Sequence, residues 1–192
     1  SKIFDEIVIS TDSYKIASLS KKFGAKCWFI RPKKLSANKS AKLPVIKHLV
    51  LESEKYFEQK FDIICDLDAT SPLRDINDIK NSYKKFIREK SNNLVSVTPA
   101  NKNPYFNQIR FYKNQYDIAI KTKNKIVRRQ DAPKVFDLNA SIYIWKRDYL
   151  FKSNKLFSKK TSIYVMPPER SYDIDTYFDL KIVNFIIKNK KI

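Results

Sequence analysis

The sequence predicts an α/β protein built on a mostly parallel sheet flanked by helices. In the first half of the chain, apolar runs typical of buried strands alternate with stretches whose apolar residues recur at helical spacing. Such alternation is typical of parallel sheets, because each crossover helix packs back onto a face of the sheet. The predicted strands are residues 3–10, 25–30, 61–67 and 94–97, and the predicted helices between them are 14–23, 43–59 and 75–90.

Residues at the predicted helix ends support these boundaries. Thr11, Asp12 and Ser13 precede the first helix, and short polar side chains of this kind accept hydrogen bonds from the first free amides of a helix. Gly24, the single glycine of the chain, follows that helix, where a left-handed residue often ends the last turn. Asp75 can cap the third helix in the same way.

The pattern changes after residue 100. Residues 108–121 contain two short strand patterns around Lys113-Asn114-Gln115, which predicts a hairpin. Two further strands are predicted at 141–145 and 162–166, and a last helix at 176–188. We therefore expect one domain over residues 1–192, with residues 101–135 inserted into its α/β core.

Composition narrows the class of protein. The chain has 192 residues, 43% of them hydrophobic, which is enough to bury a core. It has no apolar run near the about 20 residues that span a membrane, and its first residues lack a signal-peptide layout, so we expect a cytoplasmic protein. Cys27 and Cys65 lie in apolar strand patterns without a CxxC partner, which predicts buried reduced thiols and no zinc site.

The net charge of +19 raises the hypothesis of nucleic-acid binding. The excess is mostly Lys, however, and it is scattered along the chain rather than gathered in one block. This distribution favours solvated surfaces and a general positive field over a specific nucleic-acid interface. Such a field attracts anionic substrates, for example a nucleoside triphosphate.

The most informative stretch is residues 66–74, Asp-Leu-Asp-Ala-Thr-Ser-Pro-Leu-Arg, directly after a predicted strand. In open α/β sheets, ligands bind in the crevice beyond the carboxyl ends of the strands. A second acidic pair, Asp173 and Asp175, lies near the end of the chain. On an extended segment, side chains two apart face one side and can reach one Mg²⁺ directly or through waters. The alternative is that Asp175 only caps the last helix while Asp173 is exposed.

Several segments, in order along essentially the whole chain, resemble the acylneuraminate cytidylyltransferases, also called CMP-sialic acid synthetases. They are Val8-Ile9-Ser10-Thr11-Asp12, Arg31-Pro32, Ala69-Thr70-Ser71-Pro72-Leu73-Arg74, Arg129-Gln130, Asn139-Ala140-Ser141-Ile142-Tyr143 and Asp173-Ile174-Asp175-Thr176. Within the family, residues 103–107 and 128–133 resemble the branch that activates legionaminic-type bacterial nonulosonic acids.

This resemblance implies a Rossmann-like nucleotidyltransferase fold that uses Mg²⁺, CTP and a nine-carbon keto-sugar acid. The anomeric hydroxyl of the sugar attacks the α-phosphate of CTP, pyrophosphate leaves, and the product is a CMP-activated sugar acid for surface glycans. Members of the family are typically dimers, so the resemblance also implies that residues 101–135 form a small, β-containing dimerisation insertion.

The resemblance also assigns roles to individual residues. It implies that Asp173 and Asp175 bind Mg²⁺ and serve catalysis, and that Arg129 is catalytic and, with Gln130, clamps the sugar acid or the phosphates. It implies substrate contacts for Asp68, Thr70, Ser71 and Asn139. It implies contacts to the cytosine and phosphates of the nucleotide for Arg31, Asn38 and Ser40.

These assignments have structural alternatives. Thr70 and Ser71 are also ordinary turn residues, and Asn139 can simply begin a strand. Arg129 can be a solvated surface charge. For Arg74 we expect the structural role, in which it braces the turn before it rather than facing phosphate.

Two positions bear on the substrate. Asp68 stands where sialic-acid enzymes often carry Gln, and Asp137 stands where some carry Arg for the sugar carboxylate. Together with the two branch segments, these differences favour a legionaminic-type acid over sialic acid itself. The alternative substrate is another sugar acid of the 3-deoxy-manno-octulosonate type.

The start of the chain differs from the family pattern. Family members begin with a strand and a basic, glycine-bearing loop that grips the triphosphate, whereas the printed sequence resembles the family from its second strand onward. We expect the chain as printed to lack that unit and not to turn over CTP alone. An inactive, dimeric binding remnant is therefore the alternative from a different functional class.

Overall fold

The computed structural model describes residues 2–37, 40–123 and 126–189. Its helices are α1 (Tyr14–Lys22), α2 (Lys42–Phe57), α3 (Ile76–Arg88), α4 (Arg147–Lys152) and α5 (Tyr177–Asn189). Its strands are β1 (Ile63–Leu67), β2 (Asn93–Pro99), β3 (Ile109–Tyr112), β4 (Gln115–Ile118), β5 (Phe136–Lys146) and β6 (Thr161–Val165). Short 3₁₀ turns lie at Lys33–Leu35, Arg129–Asp131 and Pro168–Arg170.

Four strands form one mixed sheet in the order β1-β5-β2-β6. β1 and β5 are antiparallel, with a register that runs from Ile63 opposite Lys146 to Leu67 opposite Ile142. β2 and β6 run in the same direction, because their hydrogen bonds advance together along both strands, from the Asn92–Lys160 bond to the Met166–Val97 bond. β5 also runs opposite to β2, because Lys146 bonds Asn92 at one end of the pair and Ala100 bonds Val135 at the other. β5 is therefore the reversed strand, and the α/β fold class is confirmed.

The two strands predicted at 3–10 and 25–30 were wrong as extended strands. These segments form a single parallel bridge, between Val8 and Lys26. The Lys26 carbonyl accepts a hydrogen bond from the Ile9 amide at 3.0 Å, and the Lys26 amide donates to the Ile7 carbonyl at 2.8 Å. Within the described residues, neither segment joins either sheet. An isolated pair of extended segments is only marginally stable. The apolar pattern of these segments alone is therefore not enough to form further strand pairing beyond the single bridge.

The predicted helix ends and the hairpin are confirmed. Ser13 accepts the amide of Ile16 at 3.4 Å, and Gly24 has φ of +83° just beyond α1. Asp75 and Asp78 form a reciprocal capping box at the start of α3. The turn between β3 and β4 holds two residues with positive φ, Lys113 at +51° and Asn114 at +57°, as a two-residue hairpin turn requires.

The chain divides into two compact units, and each has its own buried side chains. The first unit comprises residues 1–67, 75–95 and 142–162, and its core includes Ile46, Val50, Phe86, Trp145 and Leu150. The second comprises residues 68–74, 96–141 and 163–192, and its core includes Leu73, Val97, Met166 and Val183. The predicted single domain and the dimerisation role of residues 101–135 stay predictions.

Two expectations from composition can be compared with the structure. Both cysteines are free; Cys27 is buried, as predicted, whereas Cys65 is only half-buried. Across the part of the chain that the structure describes, no helix has the length and apolar character needed to cross a membrane.

Candidate active site

Residues 68–74, which we name the 68–74 turn, are closed by their own side chains. Asp68 Oδ1 accepts hydrogen bonds from the Thr70 amide at 3.5 Å and the Thr70 hydroxyl at 3.2 Å. Arg74 Nη2 donates to the Asp68 carbonyl at 2.6 Å, while Nη1 donates to the Ser141 carbonyl at 2.8 Å and hydroxyl at 3.2 Å. Arg74 therefore braces the turn against β5, as predicted from sequence.

Ser71 and Asn139 connect the same turn to β5 through buried hydrogen bonds. Ser71 is fully buried, and its hydroxyl donates to the Asn139 carbonyl at 3.2 Å. Asn139 is 5% exposed, and its Nδ2 donates to Ser171 Oγ at 3.0 Å and to Met166 Sδ at 3.3 Å. Two predicted substrate-binding residues are thus part of one buried hydrogen-bond network.

Ala140 has an unusual backbone conformation inside β5. Its φ is +52°, a left-handed value that costs a non-glycine residue roughly 1–2 kcal/mol. The neighbouring peptide groups hold it there, because the Asn139 carbonyl accepts from Ser71 and the Ser141 carbonyl accepts from Arg74. Such strained residues persist where surrounding contacts over-determine them, often at functional sites.

The acidic segment, residues 173–175, lies directly beside the 68–74 turn. The Ile174 amide donates to the Thr70 carbonyl at 2.9 Å, and Asp173 and Asp175 flank Ile174 in the sequence. Asp173 is half-buried and Asp175 is exposed. The structure thus brings together the two acidic stretches that the sequence analysis singled out separately.

Asp173 carries the feature that best fits a cation. Its Oδ1 is buried and accepts no hydrogen bond from any residue that the structure describes. A buried carboxylate oxygen without a donor is costly, so such an atom points to a ligand that supplies positive charge. In the described ranges, no three or more His, Cys, Asp or Glu side chains group to hold a metal ion. One or two carboxylates, completed by waters and phosphate oxygens, are what Mg²⁺ commonly takes from a protein, and the Asp173 oxygen, unpaired among the described residues, fits that donor set.

The alternative role of Asp175 as the helix cap is excluded. Thr176 caps α5: its hydroxyl accepts the Asp179 amide at 3.2 Å, and its own amide and hydroxyl donate to Asp179 Oδ2 at 2.8 and 2.7 Å. These hydrogen bonds, the one from the Thr176 hydroxyl first, lower the pKa of the Asp179 carboxyl. Asp175 remains exposed beside this cap.

Arg129 and Gln130 lie on an exposed 3₁₀ turn of the second unit. Arg129 Nη2 donates to the Asn101 carbonyl at 3.1 Å. The neighbouring Arg128 forms a two-point pair with Asp131, at 2.8 and 2.9 Å, and that hydrogen bonding raises the pKa of the guanidinium. Of the two adjacent arginines, Arg128 is thus paired with a carboxylate and Arg129 with a backbone carbonyl.

The predicted nucleotide-binding residues belong to the first unit. Arg31 Nε donates to Ser36 Oγ at 3.1 Å, and Nη2 lies 3.6 Å from Asp12 Oδ1. Ser40 donates its hydroxyl to a backbone carbonyl of the same loop at 3.3 Å. Asn38 lies outside the described residues. All three assignments stay predictions.

Sequence reasoning missed a cluster in the first unit. Lys42 Nζ lies 2.9 Å from Asp66 Oδ2 and 4.3 Å from the centroid of the Tyr143 ring. Lys42 and Tyr143 line a cavity of about 530 Å³ together with Trp145. Lys42, Asp66 and Tyr143 come from α2, β1 and β5, and no local pattern in the sequence links them.

A sequence model of the family described as Cytidylyltransferase matches residues 1–184. The chain belongs to the cytidylyltransferase family. Its members are nucleotidyltransferases, so the predicted enzyme class and the predicted transfer of CMP from CTP are confirmed. The resemblance identified from the sequence motifs is confirmed as well.

Individual relatives agree with this assignment. The chain is 44% identical to the CMP-N,N'-diacetyllegionaminic acid synthase of Campylobacter jejuni, covering 100% of this chain and 81% of that protein. It is 41% identical, with the same coverage, to the post-translational flagellin modification protein B of Campylobacter coli. It is 31% identical to a pseudaminic acid cytidylyltransferase of Campylobacter jejuni, covering 98% of this chain and 80% of the relative.

The fold has a solved counterpart. The structure of a CMP:2-keto-3-deoxy-manno-octonic acid synthetase complexed with CTP superposes with a TM-score of 0.63. The match covers 95% of this chain and 80% of that chain at 13% identity. At this identity the likeness concerns the fold alone, and it supports the Rossmann-like nucleotidyltransferase fold predicted from the sequence.

Proposed function

We propose that this chain transfers CMP from CTP to a nonulosonic acid of the legionaminic type and releases pyrophosphate. The observation that carries the proposal is the position of the acidic segment, held against the 68–74 turn by the Ile174–Thr70 hydrogen bond with the Asp173 oxygen unpaired among the described residues. The relative of Campylobacter jejuni named as a CMP-N,N'-diacetyllegionaminic acid synthase supports the sugar class. Because CTP is a cytoplasmic nucleotide, we further propose the cytoplasm as the compartment.

The chemistry needs positioned groups and neutralised charge more than a covalent step. Asp173 and Asp175 are the residues that would hold Mg²⁺, and the ion would supply positive charge to polarise the α-phosphate and to offset charge on the departing pyrophosphate. Thr70 lies on the turn beside them, with its hydroxyl oriented by Asp68 at 3.2 Å. It is exposed and can contact a substrate hydroxyl.

Arg129 and Gln130 are proposed to capture the substrate. A guanidinium matches a carboxylate or phosphate with two parallel hydrogen bonds, and Arg129 is exposed on its turn. The net charge of +19 adds a general attraction for both anionic substrates. Arg31 and Ser40 are proposed to contact the nucleotide.

The choice of sugar acid is proposed to depend on Asp68 and Asp137. Both are carboxylates, Asp68 half-buried at the turn and Asp137 exposed on β5. A site that hydrogen-bonds a particular substituent discriminates strongly against analogues that lack it. Pyrophosphate release should be measured with CTP, Mg²⁺ and a panel of acids, with reactions lacking the acid as controls. A higher kcat/KM with N-acetylneuraminic acid than with diacetamido acids contradicts the legionaminic assignment.

We also propose that the protein is a homodimer that uses the β3–β4 hairpin. Ile109, Phe111 and Tyr116 lie on one face of it, because Phe111 is opposite Tyr116 and Ile109 is opposite Ile118. These three side chains are 68, 63 and 75% exposed. An apolar sheet face of this kind suits a self-complementary contact with a second copy.

The oligomeric state tests that contact. Phe111→Glu and Tyr116→Glu should yield monomers in sedimentation experiments, whereas Gln115→Glu, on the other face of the hairpin, should leave the dimer intact. A monomeric parent protein at high concentration contradicts the proposal.

A further inference from the structure

Asn139 uses its backbone for one part of the site and its side chain for another. Its carbonyl accepts the hydroxyl of Ser71 at 3.2 Å and so holds the 68–74 turn. Its Nδ2 donates to Ser171 Oγ at 3.0 Å, two residues before Asp173. The two parts that Asn139 contacts are the same two that the Ile174–Thr70 hydrogen bond brings together.

Ser171 passes this contact on to the acidic segment. Its hydroxyl accepts from Asn139 and donates to the Pro167 carbonyl at 2.8 Å, which fixes it at the end of the 3₁₀ turn Pro168–Arg170. The next fixed point along the chain is the Ile174 amide on the Thr70 carbonyl. Asp173 therefore lies between two anchors, one held by Asn139 and one by the 68–74 turn.

The side-chain amide of Asn139 has no capacity left for a ligand. A primary amide has two N–H donors and an oxygen with two lone pairs. The donors go to Ser171 Oγ and Met166 Sδ, and the oxygen accepts from Ser96 Oγ at 2.6 Å and the Ser141 amide at 3.4 Å. A direct contact between the Asn139 side chain and the sugar would break one of these four hydrogen bonds, at a residue that is only 5% exposed.

We propose that Asn139 is a positioning residue that sets the acidic segment against the 68–74 turn through Ser171. The catalytic consequence rests on the function proposed above, whereas the positioning itself rests only on the hydrogen bonds of the chain. Loss of the Asn139–Ser171 bond should free the Ile174 amide before it unfolds the rest of the unit. The direct effect is thus a local opening of the segment that carries Asp173.

Hydrogen exchange at the Ile174 amide measures this opening without reference to activity. One hydrogen bond contributes about 1 kcal/mol, so Asn139→Ala and Ser171→Ala should each speed exchange at Ile174 at least about fivefold relative to the Lys146 amide of β5. Ser171→Thr keeps the hydroxyl and should restore protection. Ser171→Ala also serves as the variant that folds if Asn139→Ala does not.

Asn93→Ala is the matched control. Asn93 is fully buried and, like Asn139, is bonded through both amide atoms, to the Leu156 carbonyl and the Thr161 hydroxyl, each at 2.7 Å. It should lower overall stability without a selective change at Ile174. Equal protection of Ile174 in the parent protein and in Ser171→Ala would overturn the proposal, as would a selective loss in Asn93→Ala.

A kinetic measurement separates positioning from sugar contact. In Ser171→Ala, the Mg²⁺ concentration that half-saturates pyrophosphate release should rise several-fold, while KM for the sugar acid stays within about twofold. A rise in sugar KM alone overturns the positioning role in favour of direct contact. If the printed chain does not turn over CTP alone, as its sequence leads us to expect, pyrophosphate release is measured with the family's triphosphate-binding strand and loop restored, and absence of turnover there contradicts the proposed function. The exchange result decides the positioning role independently.

Discussion

Two parts of the candidate site differ in how firmly the protein holds them. The 68–74 turn and the acidic segment are fixed by buried groups, with Ser71 and Asn139 at 0 and 5% exposure. The turn that carries Arg129 and Gln130 is exposed, and the Arg129 guanidinium donates to the backbone carbonyl of Asn101. The buried part is thus organised before substrate arrives, whereas the exposed part is free to move towards it. We therefore expect the buried part to set kcat and the exposed part to set KM.

The largest effect is expected at Asp173. Asp173→Asn removes a charged oxygen with little change of shape, so kcat should fall about 10³-fold, equivalent to about 4 kcal/mol, with the fold retained. Pyrophosphate release across a Mg²⁺ series measures this, with circular dichroism as the check on folding. Near-normal kcat at ordinary Mg²⁺ would falsify the division of roles.

A smaller effect, of a different kind, is expected at Arg129. Arg129→Ala should raise KM for the sugar acid or for CTP about tenfold to a hundredfold and change kcat little, because a charge-assisted hydrogen bond contributes about 1.5–3 kcal/mol. Arg129→Lys should recover only part of the loss, since it keeps the charge without the fork. A fall in kcat as large as that of Asp173→Asn contradicts the comparison.

The same contrast between held and exposed groups appears in two arginine–carboxylate pairs. Arg147 contacts both oxygens of Glu54, at 2.5 and 2.7 Å, with the side chains only 23 and 10% exposed. The hydrogen bonds from Arg147, foremost, lower the pKa of Glu54. The exposed Arg128–Asp131 pair has similar geometry, but exposed pairs contribute little.

The pH dependence of stability distinguishes these pairs. Because the pKa of Glu54 is lower in the folded than in the unfolded protein, its contribution is present above the ordinary value of 4.5 and is lost as pH falls through the folded value. Glu54→Gln should cost about 2 kcal/mol at pH 7 and show a shallower loss of stability on acidification than the parent. Asp131→Asn should not measurably change the stability at pH 7 or the loss of stability on acidification. Chemical unfolding at several pH values decides, and equal losses from both substitutions contradict the contrast.

The smallest effect is expected at Ala140. Its left-handed conformation costs roughly 1–2 kcal/mol, and glycine removes this cost while adding entropy to the unfolded chain. Ala140→Gly should therefore raise stability by about 0.5–1 kcal/mol. Ala17→Gly, at a buried position in the middle of α1, should lower it by at least about 1 kcal/mol. A loss of stability in Ala140→Gly would mean that the strand does not require the positive φ.

Local signals explain what the sequence could predict. Ser13, Gly24 and Asp75 mark helix ends through bonds to residues at most four positions away, and the hairpin follows from the two residues of its turn. The strand-end rule singled out the 68–74 turn, and the family resemblance singled out Asp173 and Asp175, whereas the contact between the two is seen only in the structure. These features depend on short stretches of sequence or on topology.

The support of the site depends on distant partners. Asn139 bonds Ser96 and Ser171, which are 43 and 32 positions away, and Lys42 pairs with Asp66 across two elements. Polar side chains of these types occur throughout the chain, so no pattern distinguishes the ones that meet. The strand predicted at 3–10 was wrong for the opposite reason, because its apolar pattern is strong but its pairing is a single bridge.

The most direct test of the site is paramagnetic broadening of backbone amide signals by Mn²⁺ in the presence of CTP. We expect selective loss of the amide signals of Asp173, Ile174 and Asp175 and of the adjacent Thr70, because Ile174 and Thr70 are hydrogen-bonded at 2.9 Å. The loss should disappear in the double variant Asp173→Asn, Asp175→Asn. Broadening centred on Lys42 and Asp66 instead, with the acidic segment unaffected, would contradict the assignment of the acidic segment as the metal-binding part of the site.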